Sequence, residues 1–330
     1  MHDSAKNAVK LVDYIRMKIT SYIANNFSTI VPKGDGELHS FGLFIGKNIQ
    51  FIPDNNIERP PPSSLLPKQI YGFMKKKPIF ERAIGRGIGE NFEVLDDGLQ
   101  ELILEFVDTE IEFGNGLADS LGERFIELDK GNRDRVLEKI YHGMLFARYF
   151  GQSIGRLFDK MPQELRSQIM THAEKNPQFA DGLGMDLGYI FATFDSFLRA
   201  EIMSKARRGF EISRGLGFGF GLTFALQQED DALKIVSTAD SNSELDTGFG
   251  MGMAVSYPRL ADKLRKFVFE RVATNCEFAF GVGVYSAYSY RESYPTEIFQ
   301  LLHNNTEISY GLGVGYGAGF FCLREISIRA

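Results

Sequence analysis

Residues 179–191 run Phe179-Ala180-Asp181-Gly182-Leu183-Gly184-Met185-Asp186-Leu187-Gly188-Tyr189-Ile190-Phe191. A Phe is followed by a small residue five positions later, another small residue nine later, and an aromatic twelve later. Three copies precede it: Phe80, Gly85, Gly89, Phe92; Phe113, Ala118, Gly122, Phe125; and Phe146, Gly151, Gly155, Phe158. Four looser copies follow: Phe210, Gly215, Gly219, Leu222; Leu245, Gly250, Ala254, Tyr257; Phe278, Gly283, Ala287, Tyr290; and Ile308, Gly313, Gly317, Phe320. Their starts lie 33, 33, 33, 31, 35, 33 and 30 residues apart. Glycine is 34 of 330 residues, so sixteen arbitrary slots would hold about one or two; thirteen hold Gly and three hold Ala. A fixed period of this size is the mark of a stacked repeat architecture.

At 100 degrees per residue, offsets five, nine and twelve fall at about 140, 180 and 120 degrees, one narrow stripe of a helix. Offsets zero, four and eight are mostly apolar as well, as in Ile84 and Ile88, Leu117 and Leu121, Phe150 and Ile154, or Leu183 and Leu187. A helix apolar over so much of its circumference is buried between neighbours. Each glycine in a helix costs about 1 kcal/mol relative to Ala; the offset expected here is close approach of another backbone. The alternative is that the glycines mark turns or strand bulges. The late stretches, such as 215–221 and 278–284, alternate with period two and taken alone suit Gly/aromatic barrel strands. The continuous register and the charged, helix-like runs between them favour helices.

Asn176-Pro177, Asn242-Ser243-Glu244, Asn275-Cys276-Glu277 and Asn305-Thr306-Glu307 stand where N-caps belong. A second, amphipathic helix is expected in each repeat, around Leu102, Leu104 and Val107; Val136, Leu137, Ile140 and Tyr141; Leu165, Ile169 and Met170; Phe197, Leu198, Ile202 and Met203; Leu264, Phe267 and Val268; and Ile298, Leu301 and Leu302. The expected fold is all-α: a right-handed α-solenoid of about eight 33-residue helix-turn-helix repeats over residues 77–330. Residues 1–76 form an N-terminal segment. Its parts are an amphipathic helix over 4–25, with Val9, Leu11, Val12, Ile15, Ile19 and Ile23 apolar, and a stiff Pro60-Pro61-Pro62-Ser63-Ser64 stretch. Gly42, Gly46 and Ile49 echo the repeat between them, so the segment is either a degenerate capping repeat or an unrelated one.

The Leu-Gly-x-x-Phe of the first helix, in Leu121-Gly122-Glu123-Arg124-Phe125 and Leu187-Gly188-Tyr189-Ile190-Phe191, resembles the tetratricopeptide repeat; Ile154-Gly155-Arg156-Leu157-Phe158 is close to it. The resemblance covers one helix per repeat, and the second helix and the extra glycine depart from that family. It implies scaffolding or peptide recognition, and no catalytic residues.

A net charge of −6, from 37 basic and 43 acidic residues, argues against a general nucleic-acid binder. Cys276 and Cys322 form no metal or disulfide framework and suit buried thiols in the cytoplasm. There is no apolar run long enough to span a membrane and no signal-peptide core. The Gly-x-Gly pairs sit inside helices, where they cannot cradle phosphate. His2, His39, His142, His172 and His303 are not at ligand spacing. Asp96-Asp97 and Glu229-Asp230-Asp231 suit turns or helix starts. No enzyme, cofactor or metal site is expected. The function expected is a non-enzymatic scaffold for a protein or peptide, compatible with self-association; the alternative is a sensor with an N-terminal recognition segment and a helical transmission module. Candidate partner residues are Tyr285, Tyr288, Tyr310 and Tyr316, which add aromatic groups with polar tips, and Arg207 and Arg208, which break the acidic balance. The tyrosines could instead fill a glycine-rich core.

Overall fold

The structure is a computed structural model that describes residues 2–51, 66–226, 235–240, 242–289, 309–315 and 317. Among these residues all regular structure is helical. The period-two stretches 215–221 and 278–284 lie within helices, so no strand forms there. The chain divides into two compact units, residues 1–153 and 154–330.

The first unit begins with α1 (His2–Ile30), α2 (Asp35–Lys47) and α3 (Lys68–Met74). Repeat helices follow: α4 (Pro78–Gly89), α5 (Asp97–Phe106), α6 (Ile111–Glu123), α7 (Lys130–Lys139) and α8 (Met144–Gly155). In the second unit come α9 (Gln163–Ala173), α10 (Pro177–Tyr189), α11 (Ser196–Ala206), α12 (Phe210–Thr223), α13 (Ser243–Ser256), α14 (Asp262–Val272) and α15 (Cys276–Ser289). Within each unit consecutive first helices pack side by side: α2 on α4 on α6, and α10 on α12 on α13 on α15.

The contacts are backbone on backbone, and they follow a rule. A Cβ at offset five would strike the offset-zero carbonyl of the next first helix: Gly85 meets Phe113, Gly217 meets Leu245 and Gly250 meets Phe278. At offset nine it would strike near the offset-four carbonyl, as Gly221 meets Phe249 O at 2.6 Å. A second row, at offsets three and seven, faces the preceding helix: Gly116 meets the Arg82 carbonyl, Gly248 that of Arg214 and Gly252 that of Phe218. In α12, where all four slots are glycine, a side chain on either side would displace a neighbouring backbone.

This rule corrects the register at the fifth copy. Gly217 and Gly221, not Gly215 and Gly219, face the following helix, and the latter two face Asp181 and Met185 of the preceding one. The anchor is thus Ile212, 5% exposed, while Phe210 is 54% exposed; Phe224 replaces Leu222 as the offset-twelve aromatic. The starts 179, 212, 245 and 278 are then evenly 33 apart. In the last copy Gly315 faces Phe280 O, which makes buried Leu312 the anchor; Ile308 and Phe320 lie outside the described residues. Another correction concerns offset twelve. The first helices end near offset ten, and the aromatic opens a 3-10 turn, as at Phe92–Val94, Phe158–Lys160 and Tyr257–Arg259.

Caps set the helix starts. Asn176, Asn242 and Asn275 accept from the backbone N–H of Phe179, Leu245 and Phe278 at 2.9, 3.0 and 2.9 Å. Asp96, Asp129 and Asp195 cap α5, α7 and α11; Asn305 lies outside the described residues. A further periodic element locks the loop before the second helix. Gln100, Arg133, Arg166 and Arg199, spaced 33 apart, donate to the carbonyls of Leu95, Leu128, Met161 and Phe194 at 3.2, 2.8, 2.9 and 2.7 Å.

The core lies between first and second helices and is built from Phe80, Phe113, Phe146, Phe179 and Phe278, each at most 2% exposed. At the N-terminus, α2 packs on α4 through Gly42 and Gly46 in the same manner as a first helix. Phe27 of α1 packs 5.4 Å from Phe73 and 5.9 Å from Phe80, tying α1 to that core. Ile23 is buried as the amphipathic pattern requires, whereas Ile19 is 43% exposed. The Pro60–Ser64 stretch and Ile298, Leu301 and Leu302 lie outside the described residues.

Candidate interaction surfaces

Two glycine rows leave each first helix with two other sides. Offsets five and nine lie at about 140 and 180 degrees, and three and seven at about 300 and 340. Offsets zero, four and eight point between them into the core. On the opposite side, at about 200 to 280 degrees, stand offsets two, six and ten. These form the free face of the stack.

In the first unit that face is charged and internally paired. Arg82 bonds Asp119 at 2.6 Å, Arg86 bonds Glu123 at 2.7 Å, and Lys47 pairs with Glu90 at 2.5 Å. Ser153 donates to Asp119 at 3.2 Å, and the Arg82 guanidinium lies 5.6 Å from the Tyr149 ring. Arg82 and Tyr149 belong to α4 and α8, with α6 between them. Close packing through Gly116 brings side chains two repeats apart into reach.

In the second unit the same offsets turn apolar. Asp181 and Arg214 pair at 3.2 Å. Beyond them come Met185, Leu222, Met251, Val255, Phe280 and Val284, all partly exposed, with Tyr189 50% exposed. Phe218 is nearly covered, and the half-buried Tyr285 ring lies 5.2 Å from it. They sit on α12 and α15, so α13 is spanned as α6 is in the first unit.

The second helices carry a different surface. Between α5 and α7 lies a groove of about 620 Å³ lined by Asp97, Glu101, Leu104, Arg135, Lys139 and His142. Its cations are already engaged. Arg135 bonds Asp97 at 2.7 Å and Gln100 at 2.6 Å, and Lys139 bonds Asp108 at 2.5 Å. The Arg135 guanidinium holds the Asp97 carboxyl below the usual carboxylate range. The groove brings together no nucleophile with a base. Among the described residues no three His, Cys, Asp or Glu side chains are placed to share a metal ion.

Buried ionic groups serve the joints between repeats. Glu110 accepts from Tyr71 Oη at 2.9 Å and from Lys75 Nζ at 2.7 Å. Glu81 accepts the Phe113 N–H at 3.2 Å; burial pushes its carboxyl above the usual range, against the opposing pull of that N–H. Arg271, itself buried, joins Asp240 at 2.7 Å and Asp246 at 2.6 Å. Burial likewise pushes Asp246 up, with the Arg271 hydrogen bond opposing. Glu110, Glu81, Arg271 and Asp246 are buried and orient the helices they join.

Of the partner residues expected from sequence, Tyr285 lies on the apolar face and contributes part of its ring to the packing. Tyr310 is 71% exposed. The Tyr288 side chain and Tyr316 lie outside the described residues, as do His303 and Cys322. Arg207 and Arg208 are exposed at the end of α11, away from Tyr285 in sequence and on a different helix. The apolar row from Met185 to Val284 was missed, because offsets two and six are recognisable as a face only once the anchor at Ile212 is right. His39 and His142 are exposed, and Cys276 is half-exposed rather than buried. Among the described residues no helix is long and apolar enough to cross a membrane.

No protein-family model, no curated protein and no solved structure matches the chain.

Proposed function

We propose that this protein is a non-enzymatic scaffold that binds a protein or peptide along the free face of its first helices in residues 154–330. The supporting observation is the run Met185, Leu222, Met251, Val255, Phe280 and Val284, partly exposed on successive helices where the first unit carries paired charges. Apolar strips rimmed by polar groups mark interaction sites. Glycine packing adds a flat floor, because large side chains are absent from the helix–helix seams.

The tetratricopeptide-like reading of the Leu-Gly-x-x-Phe segment supports the same class of role by analogy of fold. The tie between Phe27 and the core favours residues 1–51 as a cap over a separate sensing module. A cytoplasmic setting belongs to this reading.

The test places a photo-crosslinking phenylalanine derivative at Met251 and, as a control, at Lys266 on α14. Crosslinks to one protein partner from Met251 and none from Lys266 are expected. Equal labelling at both positions, or a partner lost when the first unit's face is changed but not on Met251→Asp, would refute the reading.

A further inference from the structure

At alternate joints the second helices carry an ion pair across neighbouring repeats. A base near the end of one helix reaches an acid 31 residues earlier, at the end of the preceding one: Lys139 to Asp108 at 2.5 Å, Lys205 to Glu174 at 2.7 Å, and Arg271 to Asp240 at 2.7 Å. The acid slots 108, 174 and 240 share one register, and the slot between the first two holds Tyr141. Midway between Glu174 and Asp240, 33 residues from each, stands Arg207. A cation occupies the acid's place, and Thr238 occupies the base's. Arg207 and its neighbour Arg208 are exposed and have no ion-pair partner among the described residues. Lys175, also exposed, adds a third cation on the end of α9. Glu174 lies among these cations: its carboxylate is bonded to Lys205, which holds it below its usual range with help from Arg208 and Lys175, so one acid stands against four bases.

A second departure from the repeat falls at the same corner. Phe210 precedes the true anchor Ile212 by two residues and is 54% exposed. The Arg214 guanidinium lies 5.8 Å from its ring on one side, and Arg214 is itself paired with Asp181. An exposed Phe close in sequence to exposed arginines is the composition of a binding hot spot, in which Arg and aromatic anchors dominate.

Resting on the scaffold reading, we infer that Arg207, Arg208 and Phe210, with Lys175, dock a partner segment in which a run of carboxylates adjoins an apolar side chain. The cations are separate and exposed, and no buried donors converge on one point as a phosphate pocket requires. Three of them are too few to hold a nucleic-acid backbone against a net charge of −6. A short acidic peptide matches the number and spread of the charges, and such complementarity sets partner choice and association rate.

The experiment selects a displayed random-peptide library on the full chain. Wild type is expected to enrich Asp/Glu runs next to Leu, Ile or Phe. The Arg207→Glu/Arg208→Glu double variant should enrich Lys/Arg instead and bind the original peptide about tenfold or more weaker, with an unchanged circular dichroism melt. Phe210→Ser should lose the apolar preference while keeping the acidic one. Enrichment without acidic bias, or acidic peptides held equally by the charge-reversed variant, overturns the inference. If those peptides are lost on Met251→Asp instead, the scaffold reading stands while this corner fails; if no peptide is enriched at all, both fail.

Discussion

Gly221→Ala should destabilise the protein even though alanine is the better helix former. A Cβ there would lie 2.5 Å from Met253 N, 2.6 Å from Phe249 O and 2.7 Å from Gly252 C, all backbone atoms of α13 that cannot turn aside as a side chain does. Ordinary contact begins near 3.4 Å. The two helices must therefore part by about 0.9 Å, from 2.5 Å to 3.4 Å, and a gap of ~0.5–1 Å forfeits a quarter to a half of the dispersion attraction across it. For one large side chain's worth of contacts, ~40–60 atom pairs at ~0.1–0.2 kcal/mol each, a quarter lost is ~1–3 kcal/mol. That matches the usual cost of overpacking. Helix propensity returns about 1 kcal/mol, so the net loss expected is about 1 kcal/mol. The internal control is Gly72→Ala in α3, where nothing lies within 4 Å of the added carbon and propensity alone should raise stability by up to ~1 kcal/mol. Urea unfolding followed by far-ultraviolet circular dichroism reads both; should the two units unfold apart, each variant shifts its own transition. An upward shift of the midpoint for Gly221→Ala, like that for Gly72→Ala, would refute the close-packing account.

Gly188→Leu should cost more than Gly221→Ala, since its Cβ already meets the Leu216 carbonyl and lies 3.1 Å from Gly219 Cα; a midpoint at or above wild type would contradict this. Ile212→Ala should lose ~2–5 kcal/mol and Phe210→Ala no more than ~0.5 kcal/mol, and the reverse order in urea midpoints would restore the anchor at Phe210. Asn176→Ala should cost about 1 kcal/mol through the lost cap on Phe179 N, with Asn176→Asp retaining most of it; equal losses for both would exclude capping as the cause. Glu81 gives a pH test. Its folded pKa is raised by burial, so the folded state binds more protons than the unfolded one between the ordinary glutamate value and the raised one. Stability must then fall as pH rises through that window. Glu81→Gln should flatten this part of the stability–pH curve, which parallel curves for the two proteins would disprove.

The period and the helicity were legible because glycine is rare enough elsewhere for thirteen of sixteen slots to stand out. The fifth and last starts were misplaced by favouring Phe210 over Ile212 and Ile308 over Leu312: a large apolar residue near the right place outweighed, at the fifth copy, an even spacing. The second glycine row was also present in sequence, in Gly182, Gly215, Gly248 and Gly281 at 33-residue intervals. It went unread because Gly215 was assigned to the first row and Gly182, Gly248 and Gly281 looked like its Gly-x-Gly companions. The loop-locking Arg133, Arg166 and Arg199 repeat as strictly, yet an arginine on an amphipathic helix is by default taken for solvated surface. Only the carbonyls they reach, which come from tertiary geometry, give them a role.

The candidate surface was less legible for a related reason. A side chain is free or committed according to which of four helix sides it occupies, and those sides differ by only a few offsets. Once two opposite sides are fixed by glycine and a third by the phenylalanine core, the remaining side follows without further assumption. It is then the departures from periodicity that carry information about binding. Charges at offsets two and six are paired in Arg82–Asp119 and Arg86–Glu123, whereas Met251 and Val284 occupy the same offsets and remain partly exposed. Arg207 stands in an acid's slot, and Phe210 stands outside the buried register altogether. A stack held together by what its repeats share leaves partner recognition to the positions where they differ, and in this chain those positions concentrate in residues 175–284.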